Sequence, residues 1–440
     1  MIKKIIVSIC LLFSLAIFAQ EGTSSPYSFY GIGDIKFKGS IENRSMGSLS
    51  VLPDSIHINI QNPAHLAGLK LTGLALGATY ANTKTETETQ EGKARRTSLD
   101  YMAIGIPVGK LGIGFGLIPY SSVGYKIQKN IYKTETTIDV DGVTHIDTTN
   151  VQYSKYTGTG GVNKVFLAFG YRLTKKINIG ADIQYNFGTI ETTNLRYQIL
   201  PLLQYGTREN NVSDLRGLNV DLGISYQTKV SSKYSFFSSL SYTPEAKLTL
   251  GNRRSIEIVE LLSTSQIRTV EYQNIPVEDT KIRTPAKLSF GSGFGEVKKW
   301  LVGGEVTFIN NSVMSNRFND IDGATFENAV RYSLGGFFIP NYNSYSNYYK
   351  RIVYRGGLRY ENTGLVIQNA STFFQKKPIT DFAANIGLGL PLSGTFTNLN
   401  IGLEIGKRGT KYYNLVEENY INISVGLSLS EKWFVKRKFD

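Results

Sequence analysis

Between Leu71 and Phe434 the chain returns again and again to short runs in which an aliphatic or aromatic residue alternates with glycine or a polar residue. Ile177-Asn178-Ile179-Gly180-Ala181-Asp182-Ile183-Gln184-Tyr185 is one such run, and Leu218-Asn219-Val220-Asp221-Leu222-Gly223-Ile224-Ser225-Tyr226 another. Successive side chains of a strand point to opposite faces, so each run has one greasy face and one small or wet face. A soluble barrel around an apolar ligand needs the reverse arrangement, whereas a barrel standing in lipid needs this one. After the N-terminus no stretch is long and apolar enough for a transmembrane helix, so a spanning chain has to close its sheet. The alternation therefore predicts an all-β fold, a transmembrane antiparallel β-barrel.

The N-terminus sets the compartment. Lys3 and Lys4 precede an apolar run from Ile5 to Phe18, and Ala19-Gln20 offers a cleavage point, the pattern of a secretory signal peptide over residues 1–19. The single cysteine, Cys10, lies inside that segment, so a processed chain has neither disulfide nor thiolate chemistry. Aromatic residues make up 12%, with 27 Tyr, which suits interfacial girdles. The formal net charge of +13 is scattered along the chain and not gathered into a stripe, which argues against nucleic acid and for anionic headgroups at strand ends.

Alternation places fourteen strands, at about 71–82, 97–109, 111–128, 163–174, 176–190, 211–229, 232–250, 282–296, 299–311, 325–340, 350–361, 379–392, 395–408 and 418–434. Links after even strands are short, as at Gly109-Lys110-Leu111, Thr174-Lys175-Lys176 and Val297-Lys298-Lys299, with Asn341 to Lys350 the longer exception. Links after odd strands are long and polar, at 83–96, 129–162, 191–210, 251–281 and 362–378. Outer-membrane barrels have short periplasmic turns and long outer loops, and an even count returns both termini to the periplasm. A cell outer-membrane location with both termini periplasmic is the resulting expectation. Asp182, Gln184, Asn219, Asp221, Glu305, Arg355, Arg359, Asn385, Asn400 and Glu404 fall on the lumen side. Fourteen strands enclose more space than their own side chains fill, so the lumen has to hold water, a ligand or part of the chain.

Residues 20–70, ahead of the 71–440 barrel, read differently, with many aromatic and aliphatic residues and an Asn62-Pro63 helix-start signal. They form either a plug folded into the lumen or a disordered periplasmic tail. Asn43-Arg44-Ser45-Met46-Gly47, Pro53-Asp54-Ser55 and Asn62-Pro63-Ala64 resemble the N-terminal region of the FadL/OmpP1/TodX family of outer-membrane transport proteins. Gly112 to Tyr120 is similar to that family's glycine-rich third strand, and Thr284-Pro285-Ala286 to its Pro-led strand. The ending Trp433-Phe434-Val435-Lys436 resembles Bacteroidetes members. The resemblance implies a fourteen-stranded barrel with an N-terminal hatch, in which Arg44, Gly47, Asn62, Pro63 and Ala64 are the hatch motif residues. It also implies a kinked third strand that opens a lateral path. Here Pro119, Ser121, Ser122 and Gly124 interrupt the alternation, as either such a kink or an ordinary strand end.

Enzymatic motifs are not found. His57, His65 and His145 are scattered, His57 and His65 have no acidic or cysteine neighbour at ligand spacing, and no metal or cofactor site is expected. Gly158-Thr159-Gly160-Gly161 lacks the strand–helix setting of a phosphate cradle and reads as flexible outer loop. No arranged nucleophile, base and orienter is visible, so the chain is not expected to be an enzyme. The expected function is passive uptake of hydrophobic small molecules such as long-chain fatty acids, with Phe166 as one contributor to an apolar pocket. The alternative is a non-transporting barrel with envelope protein partners, a subunit or shuttle of a secretion or outer-membrane protein assembly machine. Membrane lipids are partners under both.

Overall fold

The computed structural model describes residues 23–52, 54–138, 144–198, 205–261, 266–315, 324–344, 346–368, 376–392, 397–413 and 415–431. The signal-peptide segment, Pro53 and the Trp433 ending lie outside the described residues. Fourteen antiparallel strands form one closed barrel. They are β1 (Thr72–Glu86), β2 (Glu91–Val108), β3 (Leu111–Ile138), β4 (Thr144–Arg172), β5 (Ile177–Gln198) and β6 (Tyr205–Lys229). β7 runs as Tyr234–Thr243 and Ala246–Leu261, and β8 as Ile267–Ile275, Thr280–Thr284 and Lys287–Glu296. β9 (Trp300–Ile309), β10 (Ala324–Phe326 and Ala329–Phe338), β11 (Val353–Gln368), β12 (Lys376–Pro391), β13 (Asn398–Gly409) and β14 (Glu417–Glu431) complete the wall. β14 pairs with β1, with Glu431 opposite Thr72 and Glu417 opposite Glu86, so the wall has no terminal edge. Among the described residues no helix is long and apolar enough to cross a membrane.

The sense of the alternation follows the lipid argument. Along β5, Ile179, Ile183 and Tyr185 are exposed on the outside while Asp182, Gln184 and Asn186 are buried inside. Placing this carboxylate and the two amides on the lipid face would leave them without polar partners, which fixes the register of the whole strand.

The segments expected as long polar loops are largely strand. β3 and β4 have 28 and 29 residues, far more than the roughly 9–11 that cross a bilayer. Their outer parts form a hairpin ladder from Tyr125 opposite Gly158 to Ile138 opposite Thr144. The period-two signal fades there because no lipid face demands an apolar residue at every second position, although threonine-rich stretches such as Thr134-Glu135-Thr136-Thr137 keep β propensity. Gly158-Thr159-Gly160-Gly161, expected as a flexible loop, lies within β4 and pairs with both neighbours. His145 likewise falls in β4, opposite Thr137.

Inside the barrel the chain from Thr23 to Leu71 forms a plug. It begins beside β14 at the long-link end, where the Ser25 hydroxyl bonds Glu418, and ends at the short-link end, where Leu71 leads into β1. Its pieces are a turn of 3₁₀ helix at Pro26–Phe29, a short strand Asp34–Ile35, a helical turn Ile41–Arg44 and a second 3₁₀ helix Pro63–Gly68. The wall meets it with inward glycines: Gly335 and Gly357 face Met46, Gly387 and Gly402 face Ser45, and Gly180 faces Pro63 and Ala64. Gly47 is the plug's own glycine at this junction. It has φ +68°, and a Cβ there would stand 2.6 Å from the Leu358 carbonyl oxygen and 2.8 Å from that of Leu334.

Gly47→Ala should therefore lower stability by about 1–3 kcal/mol through combined overpacking and backbone strain. The heat-modifiable gel shift of the purified protein would report it as a lower transition temperature. Gly109→Ala is the control, since Gly109 shares a positive φ of 64° but has no neighbour within 4 Å of its Cβ position. Equal transition temperatures for the two variants would show that the plug contact carries no weight.

Candidate functional site: a lumen filled by the chain itself

In the half of the lumen nearer the long links the plug supplies its own apolar contents. Ile32 is buried against Val123, Val162, Ile190, Leu215, Leu248 and Ile282, with Phe29 packed beside it. Tyr27 is buried with Leu365, Ile379 and Leu415, and its hydroxyl donates to the Val416 carbonyl. Phe166, expected to face an apolar ligand pocket, is buried at 4% exposure among Ile41, Ile58 and Leu66 of the plug.

Below these clusters, charged plug residues meet charged wall residues. Lys38 donates to Asp182 at 3.2 Å and also to Asp221, and Gln184 bonds both carboxylates at 2.6 Å. Burial works against the Lys38 ammonium, but the two aspartates outweigh it and hold its pKa above the ordinary value. Arg44 donates from Nη1 to Thr79 (2.6 Å), Ser424 (3.1 Å) and Asp100 (3.2 Å), which ties the plug to β1, β14 and β2. Asp34 accepts from Arg408 of β13 at 2.7 Å, and Ser50 donates through its hydroxyl to Glu305 of β9 at 2.6 Å. Asp182, Gln184, Asp221 and Glu305, lumen positions read from the sequence, thus belong to the wall's half of this network, and Asp100 and Arg408 join them there. The plug residues Lys38 and Asp34 carried no local signal.

The Asn62-Pro63-Ala64 motif works as a cap and a clamp. Asn62 Oδ1 accepts from the Ala64 amide at 3.0 Å, while its Nδ2 donates to the carbonyls of Ile224 (3.3 Å) and Leu240 (3.1 Å) in β6 and β7. Pro63 sits in the first turn, where its missing N–H costs nothing.

The Pro119 stretch lies at a seam. β2 and β3 pair only from Val108 opposite Leu111 to Met102 opposite Leu117. Beyond that β3 shifts register against β4 between Pro119 and Ser121. Its inward groups then bond to the plug. Asp34 and Ile35 pair with Ser122 and Ser121, the Lys36 amide donates to the Tyr120 carbonyl at 2.9 Å, and the Gly124 amide donates to Ser28 Oγ at 3.2 Å. The plug thus stitches the edge that β2 leaves.

At the short-link end a cavity of about 900 Å³ opens beneath the plug. His57 lies there, and it is not the lone imidazole expected from the sequence: Asp54, three residues earlier, sits 2.7 Å from Nδ1 and Glu42 3.8 Å from Nε2. Burial disfavours the imidazolium, but Asp54 and Glu42 outweigh it and raise the His57 pKa above its ordinary 6.5. Burial also opposes the Asp54 carboxylate, and His57 reverses that and holds it well below the usual carboxylate range of 3.8. His65 has no such partner; burial pushes its pKa down to about 3, and Asn59 bonds its Nδ1 at 2.8 Å. Among the described residues no cluster of three or more metal-ligating side chains is present.

A closed fourteen-stranded transmembrane barrel with an internally bonded N-terminal plug is the class of protein these observations define. The chain belongs to the BamG family, whose sequence model matches residues 1–440. No curated relative matches. Among solved structures it is similar to the CymD monoaromatic hydrocarbon channel, at 13% identity and a TM-score of 0.54 over 93% of this chain and 99% of that one. The toluene transporter TbuX of Ralstonia pickettii aligns at 14% identity and 0.54 over 90% and 99%. A FadL homologue of Pseudomonas aeruginosa aligns at 12% and 0.54 over 91% and 98%. At these identities the likeness is one of fold. The resemblance to the FadL/OmpP1/TodX family holds at that level, and the family is BamG.

Two tests follow from the plug's anchors. Lys38→Met leaves Asp182 and Asp221 buried without their cation and should destabilise the protein by about 3–5 kcal/mol. Adding Asp182→Asn and Asp221→Asn should restore most of the loss in denaturant titrations; no loss in Lys38→Met would mean that the pair does not hold the plug. The His57–Asp54 pair sets a pH window. The His57 share of stability is present in full below 6.5 and is lost as pH rises through its raised folded value. The Asp54 share is present above 3.8 and is lost as pH falls toward its lowered value. Protection factors in residues 54–69, with the intrinsic base-catalysed exchange rate divided out, should fall on the alkaline side, and His57→Gln should abolish that limb. A wild-type profile flat with pH would rule the pair out as an anchor.

Proposed function

We propose that this chain is an outer-membrane barrel sealed by its own plug, serving as a non-transporting subunit of a larger envelope machine, such as one for secretion or outer-membrane protein assembly. The observation that carries this reading is the filled upper lumen. Ile32, Phe29 and Tyr27 occupy the apolar space between plug and long links where a hydrophobic ligand would sit. Anchors from the plug to strands all around the wall support a fixed seal. Membership of a family other than the hydrocarbon channels that share the fold is consistent with a separate role. In this reading the short links are periplasmic turns and the long hairpins stand outside the cell. Glu431, at the short-link end of β14, would then stand on the periplasmic side, and the first described plug residues in the outer half of the lumen.

A second reading, passive uptake of hydrophobic compounds such as long-chain fatty acids, is favoured by the parted β2–β3 seam at Pro119, Ser121, Ser122 and Gly124. There a shift of the plug would open a lateral path.

Gentle detergent extraction followed by native mass spectrometry separates the two. The subunit reading expects a stoichiometric assembly with envelope proteins, no lipid retained in the lumen, and unchanged uptake of hydrophobic compounds on deletion. A monomer that retains fatty acid, and loses it when Phe29 or Ile32 is replaced by a polar residue, would overturn it in favour of uptake.

A further inference from the structure

The cavity at the short-link end has two chemically distinct parts. Its inner wall is apolar, with Phe237 and Leu301 buried and Phe337 partly so. Its mouth is basic, with Lys175 and Lys176 on the β4–β5 link, Lys298 on the β8–β9 link, Arg351 before β11, and Lys70 at the end of the plug. The carboxylates that also line it are engaged. Asp54 pairs with His57 at 2.7 Å and Glu296 with Lys299 at 3.2 Å. Glu42 Oε1 accepts from Asn400 at 2.8 Å and Ser428 at 3.1 Å. Positive charge is therefore left over at the mouth.

Deeper in, Arg355 is 9% exposed and lines the same cavity. It donates to the Asn400 amide oxygen at 2.9 Å, and the Asn400 amide nitrogen in turn donates to Glu42, so Glu42 and Asp54 supply its counter-charge from within the chain. Lys298 adds a backbone argument. It holds φ +62° in a two-residue turn, a conformation that costs a non-glycine residue roughly 1 kcal/mol, yet the position carries a lysine at the cavity mouth.

We propose that this vestibule docks an acidic polypeptide segment of a partner protein, with an apolar side chain against the partly exposed Leu52 and Phe337 and carboxylates on the lysine rim. The proposal rests on the subunit reading and specifies its contact. Three features favour a peptide over a lipid headgroup. The cations come from separate links around the mouth, so they match several spaced anions. They face the inside of the barrel, whereas acyl chains lie against its outside. A cavity of about 900 Å³ is also large enough to take several side chains.

The test uses the full chain in detergent. Its probe is a short fluorescein-labelled peptide of Asp and Glu around a central Phe. The triple variant Lys175→Glu, Lys176→Glu, Lys298→Glu changes exposed link residues only and should keep the wild-type heat-modifiable shift. Peptide affinity should fall at least about tenfold in the triple variant and should weaken with salt in the wild type. Replacing the peptide's Phe by Ser should weaken binding further. Affinity indifferent to the charge reversal would overturn the proposal. So would phosphatidylglycerol binding through the same lysines while the peptide fails to bind, because the site would then be a headgroup site. In cells, a photo-crosslinking residue at Val297 should mark an acidic stretch, identified by sequencing the crosslinked peptide. If the wild type purifies as an assembly and the triple variant keeps every partner, the vestibule is not the docking site and the subunit reading stands. A wild type that purifies alone removes the subunit reading, and this proposal with it.

Discussion

The close approach of plug backbone to wall backbone is the contact on which the rest of this molecule depends. At Gly47 the plug passes between the carbonyls of Leu334 and Leu358, and the glycines at 180, 335, 357 and 387 open the wall to it elsewhere. A barrel of this circumference cannot fill its lumen with wall side chains alone. Here the gap is closed by the chain's own first segment, brought near enough that polar groups meet without intervening solvent. That closeness makes the buried charges tolerable. Asp182, Asp221 and Asp100 face inward as carboxylates whose counter-ions, Lys38 and Arg44, arrive only with the plug. Wall and plug thus each leave buried charges that the other neutralises.

The same dependence governs the one place where the wall parts. β3 leaves β2 after Leu117, and the edge it exposes is taken up by Asp34, Ile35 and Lys36. Pro119 suits this position because it has no N–H to leave unpaired where the ladder changes register. The seam therefore cannot open on its own. Freeing the β3 edge means withdrawing residues 34–36, and those are held by Asp34–Arg408 on one side and Lys38 with its two aspartates on the other. A lateral path and a fixed plug are alternative states of a single set of bonds, which is why the two functional readings are separable by experiment.

What the sequence made legible is what lipid imposes. Period-two alternation marks each membrane-crossing strand, so the count of fourteen, the outward face of Ile179 and Ile183, and the inward face of Asp182, Gln184 and Glu305 could all be read. Where lipid ends, that signal ends too. The tall hairpin of β3 and β4 runs well past the membrane-crossing length, its threonines and tyrosines follow no apolar alternation, and its ladder nonetheless continues to Ile138. The plug's pairings were hidden for another reason. Lys38 finds Asp182 at a separation of 144 residues and Asp34 finds Arg408 at 374, distances over which no spacing rule operates. His57 was a nearer miss, since Asp54 stands only three residues away, outside any helix that would make such a spacing informative. The family resemblance was limited in the same way, because the glycine-rich third strand and the Asn-Pro-Ala cap are demands of a plugged barrel. Such residues report the architecture and say little of what it is used for.

The two ends of the lumen differ in a way that bears on use. Toward the long links the interior is closed by apolar side chains, with Ile32, Val123, Leu248 and Leu250 at 1% exposure or less. Toward the short links it is open, with Lys70, Lys175, Lys176 and Lys298 at its mouth. A conduit for hydrophobic molecules would be expected to offer an apolar site on the side from which they arrive and a clear exit on the other. This molecule has the reverse, with the apolar site filled from within and the accessible recess charged. Its free energy is spent on a seal, and the basic mouth of the recess is the part of the lumen where complementary negative charge would be met.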